Sequence, residues 1–333
     1  MLRILLRNRS SDPLCASFVD FPTLSRRWFS THNSKMGETV RMGDRPTPVP
    51  LPNAEQFFLD SDQGHKYLIQ LSWPLHWLDN RTSDRGPLPI IYVVDGNALF
   101  LTATEVAWRR AASSHFAGGG LIVAIGYPVA GKLYDAKRRS LDLTPPTESP
   151  IPGAGGADVF LDFIEKSVRP AVKARFPRII ISREALYGHS YGGLFALHAL
   201  FTRPTSFDCY IASSPSIWWN RRCILHSAQA FLDNDKASDE KLPSLVVSWG
   251  SCEQNPPQWN DEPLDHYEGR KQIASELRMA DNARDLVNMM GGCNRLRTVR
   301  AKEYEGEEHT SVMACSISRG LTTFFEDWPL SQS

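Results

Sequence analysis

Gly188-His189-Ser190-Tyr191-Gly192-Gly193 lies between an apolar segment, Glu184 to Tyr187, and the almost wholly apolar Leu194-Phe195-Ala196-Leu197-His198-Ala199-Leu200. The first flank reads as a strand and the second as a buried helix, so the pattern Gly-x-Ser-x-Gly occupies a strand-to-helix turn. Glycines at 188 and 192 let the backbone bend sharply enough to raise the Ser190 hydroxyl above the sheet, beside the N-terminus of the helix. The plainer reading is a glycine-rich turn whose serine caps the helix.

Working outward, strand and helix patterns alternate. Lys66 to Trp73 puts Tyr67, Ile69, Leu71 and Trp73 on one face, the period-2 mark of a half-buried strand. Pro89 to Val94, Leu121 to Ile125, Cys209 to Ala212 and Leu245 to Trp249 are continuous apolar runs, as central strands covered on both faces require. Thr298 to Tyr304 reads as a later, more polar strand. Asp158 to Phe176 is predicted helical from Phe160, Ile164, Val168, Val172 and Phe176, with a bend at Pro170, and a second helix is predicted over Glu268 to Met290, with Ile273, Leu277 and Ala280 on one face. No repeat or composition break interrupts residues 43–330. The expectation is an α/β protein with one doubly wound, mostly parallel sheet flanked by helices in a single domain.

The chain has 333 residues, with 37 Lys and Arg against 37 Asp and Glu, and 42% hydrophobic residues. That balance excludes a mostly disordered chain and argues against a nucleic-acid-binding stripe. The uncharged apolar stretch from Ala117 to Ala130 is broken by glycines and a proline and is too short for a membrane span, so no membrane partner is expected. The 6 cysteines are scattered without metal-site spacing and read as reduced thiols of an intracellular protein. Neutrality hides an asymmetry: residues 1–35 hold Arg3, Arg7, Arg9, Arg26, Arg27 and Lys35 but only Asp12 and Asp20, a net +4. With Arg27-Trp28-Phe29-Ser30 at its end, this segment resembles a mitochondrial presequence. Alternatively, Met36 or Met42 is the true start. Residues 1–42 are therefore expected to stand outside the fold as a disordered or targeting extension, and the location to be cytoplasmic, with a mitochondrial one as the alternative.

A serine hydroxyl needs a base, and the base needs an orienting group. On a nucleophile elbow the chain order is serine, acid, histidine. Of the 9 histidines, His226, His266 and His309 lie downstream of the Ser190 helix. His309 follows the last strand in a loop leading to the closing helix, where a base belongs. His266, in a polar insertion, is second choice. His189 is expected to point away from Ser190, and His198 to be a residue of the helix. Glu253, in Gly250-Ser251-Cys252-Glu253-Gln254, is the first acid after the Leu245 strand; Asp261 and Asp265 are alternatives. Two oxyanion donors are expected from the backbone N–H groups of Tyr191 and Asn97, the latter in the turn Asp95-Gly96-Asn97.

These segments, together with Ser214-Pro215-Ser216-Ile217-Trp218-Trp219 and Arg139-Ser140-Leu141-Asp142-Leu143-Thr144-Pro145, resemble the esterase branch of the α/β-hydrolases that includes the enterobactin and salmochelin esterases and their fungal relatives, from about residue 50 to 328. The resemblance implies the α/β-hydrolase fold, Ser190 as nucleophile, His309 as base, and an oxyanion hole at Asn97 and Tyr191. It also implies a Ser-His dyad as the alternative to a triad containing Glu253. The substrate it implies is an ester-linked siderophore of the fusarinine or triacetylfusarinine type. Arg139, Trp218 and Trp219, with Trp259, Arg221 and Arg222 around them, are expected to frame that substrate. Iron would arrive with it, so no resident metal or cofactor is expected. A general carboxylesterase or S-formylglutathione hydrolase, a tailoring acyltransferase and a silent siderophore-binding protein are the competing functions, and residues 255–292 are a candidate lid.

Overall fold

A computed structural model describes residues 49–77, 86–234 and 241–326. The expected extension at residues 1–42, Cys15 and the early prolines Pro46 and Pro48 lie outside them. All elements below belong to the unit Pro52–Ser333.

The described residues form one 8-stranded sheet of order β1-β2-β4-β3-β5-β6-β7-β8. Its strands are β1 Ala54–Asp60, β2 Lys66–Ser72, β3 Pro87–Val94, β4 Leu121–Gly126, β5 Ile180–His189, β6 Cys209–Ser213, β7 Ser244–Gly250 and β8 Thr298–Tyr304. β1, β2 and β4 pair antiparallel, and every other neighbour pairs parallel. The predicted doubly wound sheet is therefore present, and the apolar runs of β4, β6 and β7 are buried along their whole length.

Period-2 alternation divides the core between the two faces. Ile90, Tyr92 and Val94 of β3 join the larger cluster under α3 (Ala157–Phe163), α4 (Arg169–Arg175), α5 (Tyr191–Thr202), α6 (Trp219–Asp233) and α8 (Met279–Met290). Ile91 and Val93 join the other cluster, beneath α1 (Gly96–Ala111) and α9 (Val312–Glu326). The remaining helices are α2 (Ala136–Leu143) and α7 (Leu264–Leu277).

The chain passes from β3 outward to β4, then returns across β3 to β5, so the winding direction reverses between β3 and β5. Ligands of open α/β sheets bind where such a reversal leaves a crevice at the carboxyl ends of the strands. Ser190 follows β5 and Asp95 follows β3, directly at that point.

Several sequence expectations need correction. β1 went unpredicted because its burial is partial and edge-like, with Phe58 54% exposed. β2 is buried on both faces rather than half-buried, since Leu68 and Ser72 are also covered. The helix predicted over Asp158 to Phe176 contains a π turn, Ile164–Val168, in which the Arg169 N–H reaches back to the Ile164 carbonyl. Pro170 has no N–H to donate to the preceding turn, and the wider turn accommodates that gap. The helix predicted over Glu268 to Met290 is two helices. Arg278 sits between them at φ 50°, which turns the chain and breaks the shared face. Ile273 is left 40% exposed and α7 buries no residue, while Met279, Ala280, Ala283, Leu286 and Met290 of α8 enter the core.

Phe195 is fully buried on α5, with its ring 5.2 Å from Phe160. Phe195→Ala should lower stability by about 3–5 kcal/mol, measured by urea unfolding. A loss under about 1 kcal/mol would show that α5 packing is not central to the core.

Candidate active site

Three residues that end consecutive sheet positions hold left-handed backbone: Asp95 after β3 (φ 57°), Ser190 after β5 (φ 59°) and Ser214 after β6 (φ 41°). Such conformations are strained for non-glycine residues and persist only where the surroundings enforce them. At Ser190 they do. Its N–H donates to the Ser213 carbonyl at 3.0 Å, and its own carbonyl accepts from Leu194 N at 3.0 Å and Ser216 N at 3.1 Å. The turn is so tight that a Cβ on Gly188 would collide with the Gly192 backbone, so glycine is required there.

α1 and α5 begin at this bend and its neighbour, with Asp95 and Ser190 in their N-cap positions, yet neither side chain caps its helix. The first-turn amides of a helix lack intrahelical partners and carry the positive end of its dipole. Asn97 and Tyr191 occupy those first turns. The two helix starts are close: a Cβ on Gly192 would lie 2.8 Å from Val94 Cγ2 and 3.6 Å from Asp95 Oδ2. The Asn97 side chain locks the α1 start to the end of β4, accepting from Tyr127 N at 2.7 Å and donating to the Tyr127 carbonyl at 3.0 Å.

The structure brings Glu253 and His309 together. Glu253 is 7% exposed; its Oε2 is 2.6 Å from His309 Nδ1. Its Oε1 accepts from Ser214 Oγ at 2.6 Å and from Gly250 N at 2.6 Å. With a carboxylate at Nδ1, that nitrogen is the donor and Nε2 is left as the basic nitrogen. The loops carrying the two residues are stitched by Ser251 N to the Tyr304 carbonyl at 2.9 Å and Cys252 N to the Glu307 carbonyl at 3.0 Å. Gly250 permits that approach, since a side chain there would strike the Glu307 backbone.

His189 packs against His309. Its buried ring lies 4.6 Å from that of His309, and its Nδ1 is 3.0 Å from Ser213 Oγ. Burial, with the nearby charges of His309 and Arg139, pushes its pKa well below the ordinary histidine value, so it packs against His309 as a neutral ring. Ser216, also buried, places its Oγ 3.3 Å from Ser190 Oγ. Neither serine of Ser214-Pro215-Ser216 was assigned a role from sequence. Their only signal was two hydroxyls bracketing a proline directly after a buried strand.

Two expected substrate-facing residues are corrected. Arg139 is 7% exposed, and its Nε donates to Asp95 Oδ1 at 2.6 Å, so it braces the α1 start. It also lies over the Tyr134 and Tyr191 rings, at 4.8 and 5.7 Å. Trp219 is 7% exposed and part of the core, whereas Trp218 is only partly buried, its ring 6.0 Å from that of Tyr191. Several other candidates have partners of their own. His266 and Arg270 are held by Glu262, Trp259 stacks under Arg270 at 3.9 Å, and Arg222 pairs with Asp285. His198 pairs with Asp158 at 2.7 Å, and His226 is an exposed residue of α6. The candidate lid, residues 255–292, is largely the two helices α7 and α8.

The five cysteines among the described residues are unpaired. Among those residues, no helix is long and apolar enough to cross a membrane, and no group of three or more His, Cys, Asp or Glu is placed to hold a metal ion.

A mostly parallel sheet whose winding reverses beside a serine elbow is the architecture of the α/β-hydrolase fold. Comparison with known proteins agrees: the family described as "Putative esterase" matches residues 62–276, and the chain belongs to that family. It is 74% identical over 292 residues to the siderophore triacetylfusarinine C esterase of Aspergillus fumigatus, covering 88% of this chain and 100% of that one. It is 44% identical over 267 residues to the siderophore enterobactin esterase of Emericella nidulans, covering 77% and 88% of the two chains. Among solved structures, the siderophore hydrolase EstB from Aspergillus nidulans superposes with a TM-score of 0.83 at 57% identity, covering 87% of this chain and 100% of that one.

Breaking the Asp95–Arg139 pair leaves one buried charge uncompensated. Arg139→Met should therefore destabilise the protein by about 3–5 kcal/mol in chemical unfolding, and Asp95→Asn combined with Arg139→Met should recover part of that loss. No recovery in the double variant would show that the pairing is not the source of the effect.

Proposed function

We propose that this esterase hydrolyses the ester bonds of a siderophore of the fusarinine or triacetylfusarinine type in its iron-loaded form, using Ser190, His309 and Glu253. The observation that carries the chemistry is the 2.6 Å contact between the buried Glu253 and His309 Nδ1, on the same sheet edge as the Ser190 elbow. The substrate class rests on the similarity to the triacetylfusarinine C esterase.

In this reading His309 Nε2 takes the Ser190 proton as Oγ attacks the ester carbonyl, while Glu253 holds the imidazole in the required tautomer and stabilises its cation. The backbone N–H groups of Asn97 and Tyr191 bind the developing oxyanion, favoured by two helix N-termini. His309 then donates its proton to the leaving alcohol. Water, deprotonated by the same nitrogen, releases the acid and frees Ser190. Trp218, beside Tyr191, supplies an aromatic wall. Opening the ring of a cyclic ester and then cleaving its remaining backbone esters, one water per bond, separates one chelator into arms of lower denticity, and loss of their mutual effective concentration weakens the hold on iron. Iron is cargo here, bound by the substrate. The reaction is assigned to the cytosol. N-terminal sequencing of the protein from its own cells discriminates this from a mitochondrial location, which a start near Thr31 would support.

Ser190→Ala should reduce kcat by about 10⁶-fold. Incubation with ferric fusarinines and unrelated esters, followed by mass detection, should show ring-opened siderophore from the wild type alone. Substantial turnover of small acyl esters with intact siderophore would instead support a general carboxylesterase, and product transfer to added alcohols would support an acyltransferase. Glu253→Gln should reduce kcat by about 10⁴-fold, the loss expected when the wrong histidine tautomer is stabilised; a loss below tenfold would identify a Ser-His dyad.

A further inference from the structure

We propose that Ser214 is a positioning residue that aims the Glu253 carboxylate at His309, an inference that rests on the Ser190, His309 and Glu253 reading above. Glutamate reaches its partner on a side chain one methylene longer than aspartate, with an additional torsion to restrain. Its terminal carboxylate torsion is also broad, so without tethering either oxygen can swing away from the histidine. Here Oε1 is held by two donors converging from different segments, Ser214 Oγ after β6 and Gly250 N at the end of β7, each at 2.6 Å. That anchorage leaves Oε2 as the oxygen facing His309 Nδ1.

Ser214 is placed to do this by its own backbone. Its N–H donates to the Ser248 carbonyl at 2.7 Å, tying the end of β6 to β7. The residue is fully buried and sits at φ 41°. A left-handed backbone with no room for solvent is a position where glycine would be comfortable and a serine is strained. Among the described residues the hydroxyl has one hydrogen-bond partner, the carboxylate of Glu253, and its charge-assisted bond compensates for the strain. Two residues further on, Ser216 Oγ lies beside Ser190 Oγ. One short segment therefore touches the acid at one end and the nucleophile at the other.

Glycine at 214 separates positioning from folding, because it removes the hydroxyl while relieving the backbone. The experiment measures kcat and KM on an aryl ester for wild type, Ser214→Gly, Ser214→Ala, Glu253→Gln and the Ser214→Gly/Glu253→Gln double variant, with urea unfolding of each. Ser214→Gly should unfold at the wild-type urea concentration or above it, yet lose about 10- to 100-fold in kcat with KM within about twofold. Ser214→Ala, which keeps the strain, should show the same kinetic loss with lower stability, and stands in if the glycine variant fails to fold. In the Glu253→Gln background the Ser214→Gly change should alter kcat by less than about twofold, because a residue acting through Glu253 has nothing left to position. The proposal is overturned if Ser214→Gly keeps wild-type kcat while Glu253→Gln is impaired, or if the two losses multiply. If Glu253→Gln itself loses less than tenfold, the triad reading fails and this inference falls with it, a result distinct from the first two.

Discussion

The reversal of winding between β3 and β5 is the constraint on which the site depends. Parallel neighbours share a carboxyl edge, so everything that follows β3, β5, β6 and β7 emerges on one side of the sheet. Because the chain turns outward to β4 on one side and toward β6 on the other, α1 and α5 do not crowd each other, and their N-termini open together at the crevice. Two uncapped helix starts in one place form a positively polarised niche, and an ester carbonyl is the kind of group whose reaction such a niche favours.

Holding that niche open requires strain and buried charge. Asp95, Ser190 and Ser214 all take backbone conformations that favour glycine; Ser190 and Ser214 are clamped by backbone hydrogen bonds to a neighbouring strand or loop, and the Asp95 carbonyl accepts from Ala98 N at the start of α1. Asp95 is further fixed by Arg139, whose guanidinium is held between that carboxylate and two tyrosine rings. The acid and histidine loops are joined by backbone hydrogen bonds rather than by side chains alone, so the Glu253–His309 contact belongs to a stiff unit. Neutral His189 fills the space behind the histidine without adding a competing charge.

Much of this was legible in the chain itself. Continuous apolar runs marked β3, β4, β6 and β7 because strands covered on both faces must be apolar at every position. The elbow was legible because a serine between two glycines, at a strand-to-helix junction, has few other structural uses. β1 and the break at Arg278 were not legible: an edge strand buries too little to impose a pattern, and one left-handed residue inside a helical sequence leaves no compositional trace. Arg139 and Trp219 were misjudged as substrate-facing for a related reason, since in the sequence a charged or aromatic side chain reads the same whether it meets a ligand or a buried partner.

The sequence alone determined the fold class, the nucleophile candidate and the family, because each rests on local periodicity or on residues contiguous in the chain. The tertiary structure decided which carboxylate meets which histidine, since Glu253 and His309 come from separate loops whose spacing along the chain says nothing of their distance. It also decided that Ser214 faces Glu253 rather than solvent. That choice depends on the rotation of one strained residue between two strands, and no pattern along the chain encodes such a rotation.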